Sequence, residues 1–117
     1  MLLEPNAGVR DALITLLRGN NWRVVLVENL KTLVETASEQ EVTAVVSEAE
    51  LPGQSAEELL ETCLNREIPL IFTGHEQQVQ NAVDLIRMGA EDYLQKPFQR
   101  DRLLDLLNQL RKRHNSG

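Results

Sequence analysis

Apolar residues fall along this chain in two rhythms that take turns. Val9, Leu13, Leu16 and Leu17 recur at helical spacing behind Asn6, a suitable N-cap, and Gly19-Asn20-Asn21 closes the segment. Val24-Val25-Leu26-Val27 follows, a β-branched run without alternation that predicts a strand covered on both faces. Leu30, Leu33, Val34 and Ala37 predict a second helix, and Thr43-Ala44-Val45-Val46 a strand closing on Ser47-Glu48. Ser55 and Glu58 then form a capping box that opens a helix carrying Leu59, Leu60, Cys63 and Leu64. Behind Pro69, Leu70-Ile71-Phe72-Thr73 reads as a strand that breaks at Gly74-His75. Val79, Ala82, Val83 and Ile86 stripe the next helix, which ends at Met88 with Gly89 as its left-handed cap. Residues 92–95 suffice for a short strand, and Leu103, Leu104, Leu107 and Leu110 mark the last helix. Counting the minimal strand Met1-Leu2-Leu3-Glu4, five strands alternate with five helices. Short connections and right-handed crossovers then predict an α/β fold, a parallel sheet with helices on both faces.

Composition narrows the class. The 117 residues make one domain, large enough to bury a core without staples. Residues 1–113 read as that domain and residues 114–117 as a tail or the start of a linker. Aromatic residues are scarce (Trp22, Phe72, Tyr93, Phe98), so the core is expected to be aliphatic. No apolar run is long enough to span a membrane. Glu4 follows Met1-Leu2-Leu3 at once, unlike a signal peptide. A single cysteine excludes an internal disulfide and fits a reducing, cytoplasmic compartment; on an apolar helix face Cys63 reads as a buried, inert thiol. The net charge of −6 argues against nucleic-acid binding by this domain. Its one basic cluster, Arg111-Lys112-Arg113 with His114, suits the C-terminal end of a helix dipole.

Candidate chemistry gathers where the strands end. Glu4 follows the first strand, Glu48 the third, Thr73 the fourth and Lys96 the fifth, with Pro97 fixing the turn behind it. A doubly wound sheet binds its ligands at that edge. Two carboxylates, a hydroxyl and an ammonium, each closing a largely apolar strand, therefore predict a shared site. The first turn, Glu4-Pro5-Asn6-Ala7-Gly8, holds neither a dinucleotide fingerprint nor a P-loop, and His75 has no second His or Cys nearby.

Leu51-Pro52-Gly53, Thr73-Gly74, and Gly89-Ala90 leading to Tyr93 and Lys96-Pro97-Phe98 are similar to the receiver domain of two-component response regulators. Val9-Arg10 supports the likeness, which covers essentially the whole chain, and Glu91-Asp92-Tyr93-Leu94 most resembles receivers of enhancer-binding transcription activators. The resemblance implies a flavodoxin-like sheet in order 2-1-3-4-5, with two helices on one face and three on the other. It implies a phosphoryl group passed from a histidine kinase to an aspartate ending the third strand, with acids after the first strand helping to hold Mg²⁺. It assigns Thr73, Tyr93 and Lys96 as switch residues and a cis bond before Pro97. It also implies a transcription regulator, with the domain either joined to an effector domain in a longer chain or standing as a complete single-domain protein, and weak homodimerisation through the last two helices and the fifth strand.

The acids depart from the family pattern. Glu48 stands four residues before Pro52, where the family has its phosphorylated aspartate, and Pro5 replaces the second acid beside Glu4. Ser55-Ala56 replaces the usual Asp-Gly. Glu50 shares the parity of Glu48 but lies in the loop beyond the strand. A glutamate reaches one methylene further than an aspartate and carries its charge permanently, though one negative charge replaces nearly two. The expectation is a regulatory domain, not an enzyme, that works without phosphorylation and requires no cofactor, with Mg²⁺ binding by Glu4 and Glu48 weakened. The alternative is a receiver that still accepts phosphate on Glu48 and loses it by self-hydrolysis.

Overall fold

The computed structural model describes residues 1–75 and 79–116. Nine elements follow one another: β1 (Leu2–Leu3), α1 (Ala7–Arg18), α2 (Leu30–Glu39), β2 (Val45–Glu48), α3 (Ala56–Asn65), β3 (Leu70–Gly74), α4 (Val79–Met88), β4 (Asp92–Gln95) and α5 (Arg100–Ser116). The strands form one parallel sheet in the order β1-β2-β3-β4. Leu2 pairs with Val46, Val45 with Leu70 and Ile71 with Asp92.

Residues 24–27, expected as the second of five strands in a 2-1-3-4-5 order, do not form one. They run beside β1 through a single parallel bridge, Leu2 to Leu26. The Leu2 amide donates to the Val25 carbonyl at 3.0 Å and the Val27 amide to the Leu2 carbonyl at 3.1 Å. β-Branched side chains favour a pleated, half-buried surface, but a ladder needs a partner. β1 offers only two residues, and Leu26 remains 46% exposed at the sheet edge. At the other end α5 runs on to Ser116, so residues 114–116, expected as tail, are helical.

Strand parity sorts the core into two layers. Leu3, Val45, Leu70, Phe72 and Tyr93 face α2, α3 and α4, meeting Leu33, Leu59, Leu60, Cys63 and Leu85. Leu2, Val46, Ile71 and Leu94 face α1 and α5, meeting Leu13, Leu17, Leu103, Leu107 and Leu110. The side chain of Val79, counted on the α4 stripe, lies outside the described residues. Burial pushes the Cys63 thiol up to about 11, as an inert core thiol requires.

Helix ends set the loop lengths that bring the strand ends together. Asn6 and Asn29 cap α1 and α2, each side chain accepting from the amide three residues on. Ser55 does the same for α3, accepting from the Glu58 amide at 3.2 Å. Gly89 has φ +122, and the Gly89 and Ala90 amides donate back to the Ile86 and Leu85 carbonyls, turning the chain sharply into β4.

Candidate functional site

Register places the site. Glu48 ends β2 directly opposite Thr73 of β3, and Gly74 is opposite Gln95 of β4. Lys96 comes next, its amide donating to the Gly74 carbonyl at 2.6 Å. The Lys96–Pro97 peptide is cis. From there the ammonium reaches both acids: Nζ lies 2.5 Å from Glu4 Oε1 and 2.5 Å from Glu48 Oε2. Thr73 Oγ1 donates a longer bond of 3.4 Å to Glu48 Oε2. Glu4, Glu48 and Thr73 are all buried, at 6%, 5% and 1% exposure. The four residues expected to converge do so.

Backbone groups complete the holding of the two carboxylates. Glu4 Oε2 accepts from the Asn6 amide at 3.0 Å, and Glu48 Oε1 from the Glu50 amide at 3.4 Å. Arg10 donates to the Glu4 carbonyl at 3.4 Å. Asn6 and Arg10 were legible only as a cap and a motif neighbour, because a local amide bond depends on how the loop turns. Glu50 does not enter the ion pairs of Lys96; its part at Glu48 is played by its main chain.

Burial pulls the Lys96 ammonium downward, yet the hydrogen bonds and charges of Glu4 and Glu48 outweigh it and leave Lys96 above its ordinary value. Tyr93 sits in the core at 7% exposure. Burial first, and then the charges of Glu48 and Glu50, push its phenol up to about 12. The aromatic of β4 is thus electrically coupled to the acid of β2. His75, at the turn after β3, is exposed, and with Val9, Leu13, Leu16 and Phe98 it lines a small apolar pocket beside Lys96.

Chemically, the crevice is an ammonium clamped between two carboxylates with a hydroxyl alongside. Among the described residues no three metal-ligating side chains are gathered. No helix of the described residues is long and apolar enough to cross a membrane.

A parallel α/β sheet with acids, a hydroxyl and a lysine at its carboxyl edge defines a domain of the doubly wound class with its site at the strand ends. The family model for the response regulator receiver domain matches residues 1–108, and the chain belongs to that family. Receiver domains are regulatory modules rather than enzymes. The chain is 32% identical over 109 residues to the transcriptional regulatory protein FixJ of Bradyrhizobium diazoefficiens, covering 91% of this chain and 53% of that protein. It is likewise 32% identical over 109 residues to the response regulator protein FleR of Pseudomonas aeruginosa, covering 92% of this chain and 23% of that one. It thus spans from about a quarter to about half the length of these curated relatives. Full-length FixJ from B. japonicum superposes with a TM-score of 0.85 at 26% identity, over 95% of this chain and 56% of that one. The receiver domain of NtrX from Brucella abortus, at 20% identity over 93% of this chain and 94% of that one, shares the fold with a TM-score of 0.84.

Proposed function

We propose that this receiver regulates without being phosphorylated, with Glu48 standing permanently where related receivers carry a phosphoacceptor. The observation that carries the reading is the clamp: Lys96 Nζ lies 2.5 Å from both Glu48 and Glu4. In the family's scheme the lysine and the hydroxyl of the switch meet phosphoryl oxygens. Here both already have an acceptor in Glu48 Oε2. A half-buried ammonium that already has two carboxylate partners gains little from a third anion.

Mg²⁺ does not suit the residues present. Pro5 offers no carboxylate, and both Glu4 and Glu48 are committed to Lys96, whereas Mg²⁺ asks for a near-octahedral set of oxygens. No metal is therefore required in this reading. Thr73 bonded to Glu48 and Tyr93 buried beside it support an inward setting of the switch, held by Glu48 in place of phosphate.

The larger role in this reading is that of a cytoplasmic regulator of transcription. Its partners are an effector domain of the enhancer-binding type and a histidine kinase or other regulatory protein. The domain itself does not contact nucleic acid. A weak homodimer through α4, β4 and α5 belongs to the same reading, and the exposed Val83 and Ile86 on α4 support it.

The test is incubation with a small phosphodonor and Mg²⁺ followed by intact-mass measurement. The expected result is an unchanged mass for the parent chain. A gain of one phosphoryl group, lost in Glu48→Gln, overturns the proposal and establishes the phosphorylatable alternative.

A further inference from the structure

Past Leu110 the last helix has no apolar residue left to bury: the sequence runs Arg111-Lys112-Arg113-His114-Asn115-Ser116. A helix end of that kind ordinarily frays, since packing rather than propensity holds helices in place. In α5 Arg111, Arg113 and His114 instead meet three separate segments. Arg111 lies over the Trp22 ring, 3.7 Å from its centroid, and donates to the Asn21 carbonyl at 3.4 Å. Both partners belong to the turn that follows α1. Arg113 pairs with Glu91, in the short connection between α4 and β4. His114 Nε2 lies 3.6 Å from Glu41 Oε2, just beyond α2.

These contacts cluster. Arg113, His114, Glu91 and Glu41 stand around one open groove of about 950 Å³, together with Val42, Thr43, Ile68 and Pro69, the residues that lead into β2 and β3. The groove is therefore at the pole of the sheet opposite the acidic crevice. Exposed ion pairs are individually weak. Opening a helix end costs almost nothing, however, so a few weak contacts converging on one turn are enough to decide its state.

We propose that Arg111, Arg113 and His114 form a clasp that ties the C-terminal turn of α5 to three basal loops and so fixes the direction of the helix axis where it leaves the sheet. The clasp is independent of how Glu48 works. It is a device for transmitting orientation: the helix end cannot pivot without breaking contacts to the loops after α1, α2 and α4.

Native-state amide exchange on the 117-residue chain tests it. In an Arg111→Ala, Arg113→Ala double variant the amides of residues 111–114 exchange about fivefold faster, while those of residues 103–107 keep the parent's rates. Lys31→Ala, which removes an exposed cation from α2, leaves both groups unchanged. Exchanging the charges of one pair, Glu91→Arg with Arg113→Glu, returns the helix end towards the parent's rates after either single change has raised them. The clasp is overturned by acceleration of less than about twofold, by equal acceleration in Lys31→Ala or along the whole helix, or by a charge exchange that fails to restore protection.

Discussion

Replacing Lys96 by Met keeps the aliphatic stem and removes the charge, leaving Glu4 and Glu48 buried with no ammonium between them. Each Lys96–Glu contact is 2.5 Å long. At that separation opposite unit charges attract by roughly 6–7 kcal/mol when the effective dielectric is about 20. Desolvation of the three groups cancels much of that gain. What remains on truncating one partner of a buried pair is about 3–5 kcal/mol, mostly the cost of the charges left behind. Small domains are stable by about 5–15 kcal/mol, so Lys96→Met should remove roughly a fifth of the total or more. The thermal midpoint should fall by roughly 10–20 °C. Urea unfolding of parent and variant, followed by the single tryptophan and by circular dichroism, measures the difference. Adding Glu48→Gln to Lys96→Met should recover a large part of the loss, because it removes a stranded charge. A deficit below about 1 kcal/mol at neutral pH, the size of a solvated surface pair, would refute the picture of a dry clamp.

Tyr93 is the chain's only tyrosine, so its phenolate absorbance can be followed without interference from another. Because burial and the charges of Glu48 and Glu50 push it up to about 12, the folded protein should titrate there rather than at the ordinary value of 10. The sign is that of an acid held neutral by the fold: stability falls as pH rises from about 10 to about 12, and Glu48→Gln moves the folded midpoint down. A midpoint of about 10 in the folded protein would count against the coupling. Gly89→Ala should destabilise by about 1–3 kcal/mol in a denaturant titration, chiefly through the backbone. At φ +122 a side chain is strained, whereas the crowding atoms, Leu64 Cδ2 at 3.1 Å and Cδ1 at 3.2 Å, belong to a half-exposed residue that can move aside. Gly53→Ala, at φ +70 with nothing within 4 Å, should cost less; equal costs would show that crowding or φ had been misjudged.

Helix stripes, caps and strand runs were legible in the sequence because each is a local property: period, β-branching, a polar residue three positions ahead of an amide. Asn6, Ser55 and Gly89 do in the structure what their types suggest. The convergence of Glu4, Glu48, Thr73 and Lys96 was legible for a related reason, since parallel connection puts every strand's carboxyl end on one edge. Pairing was not. Residues 24–27 have the composition of a strand, yet the length of their neighbour β1 limits them to one bridge. The extent of α5 was not legible either. Arg111-Lys112-Arg113 read as a helix end but residues 114–116 as a tail, and the helix that runs on through them has its last turns set against Trp22, Glu91 and Glu41, between 22 and 89 positions away. The clamp itself also needed the tertiary structure. Sequence spacing put an acid at Glu48 and a lysine at Lys96, but only the packed sheet decides that one ammonium meets two carboxylates away from water. Local sequence sets which conformations each segment prefers, whereas distances and burial between segments depend on every other segment at once.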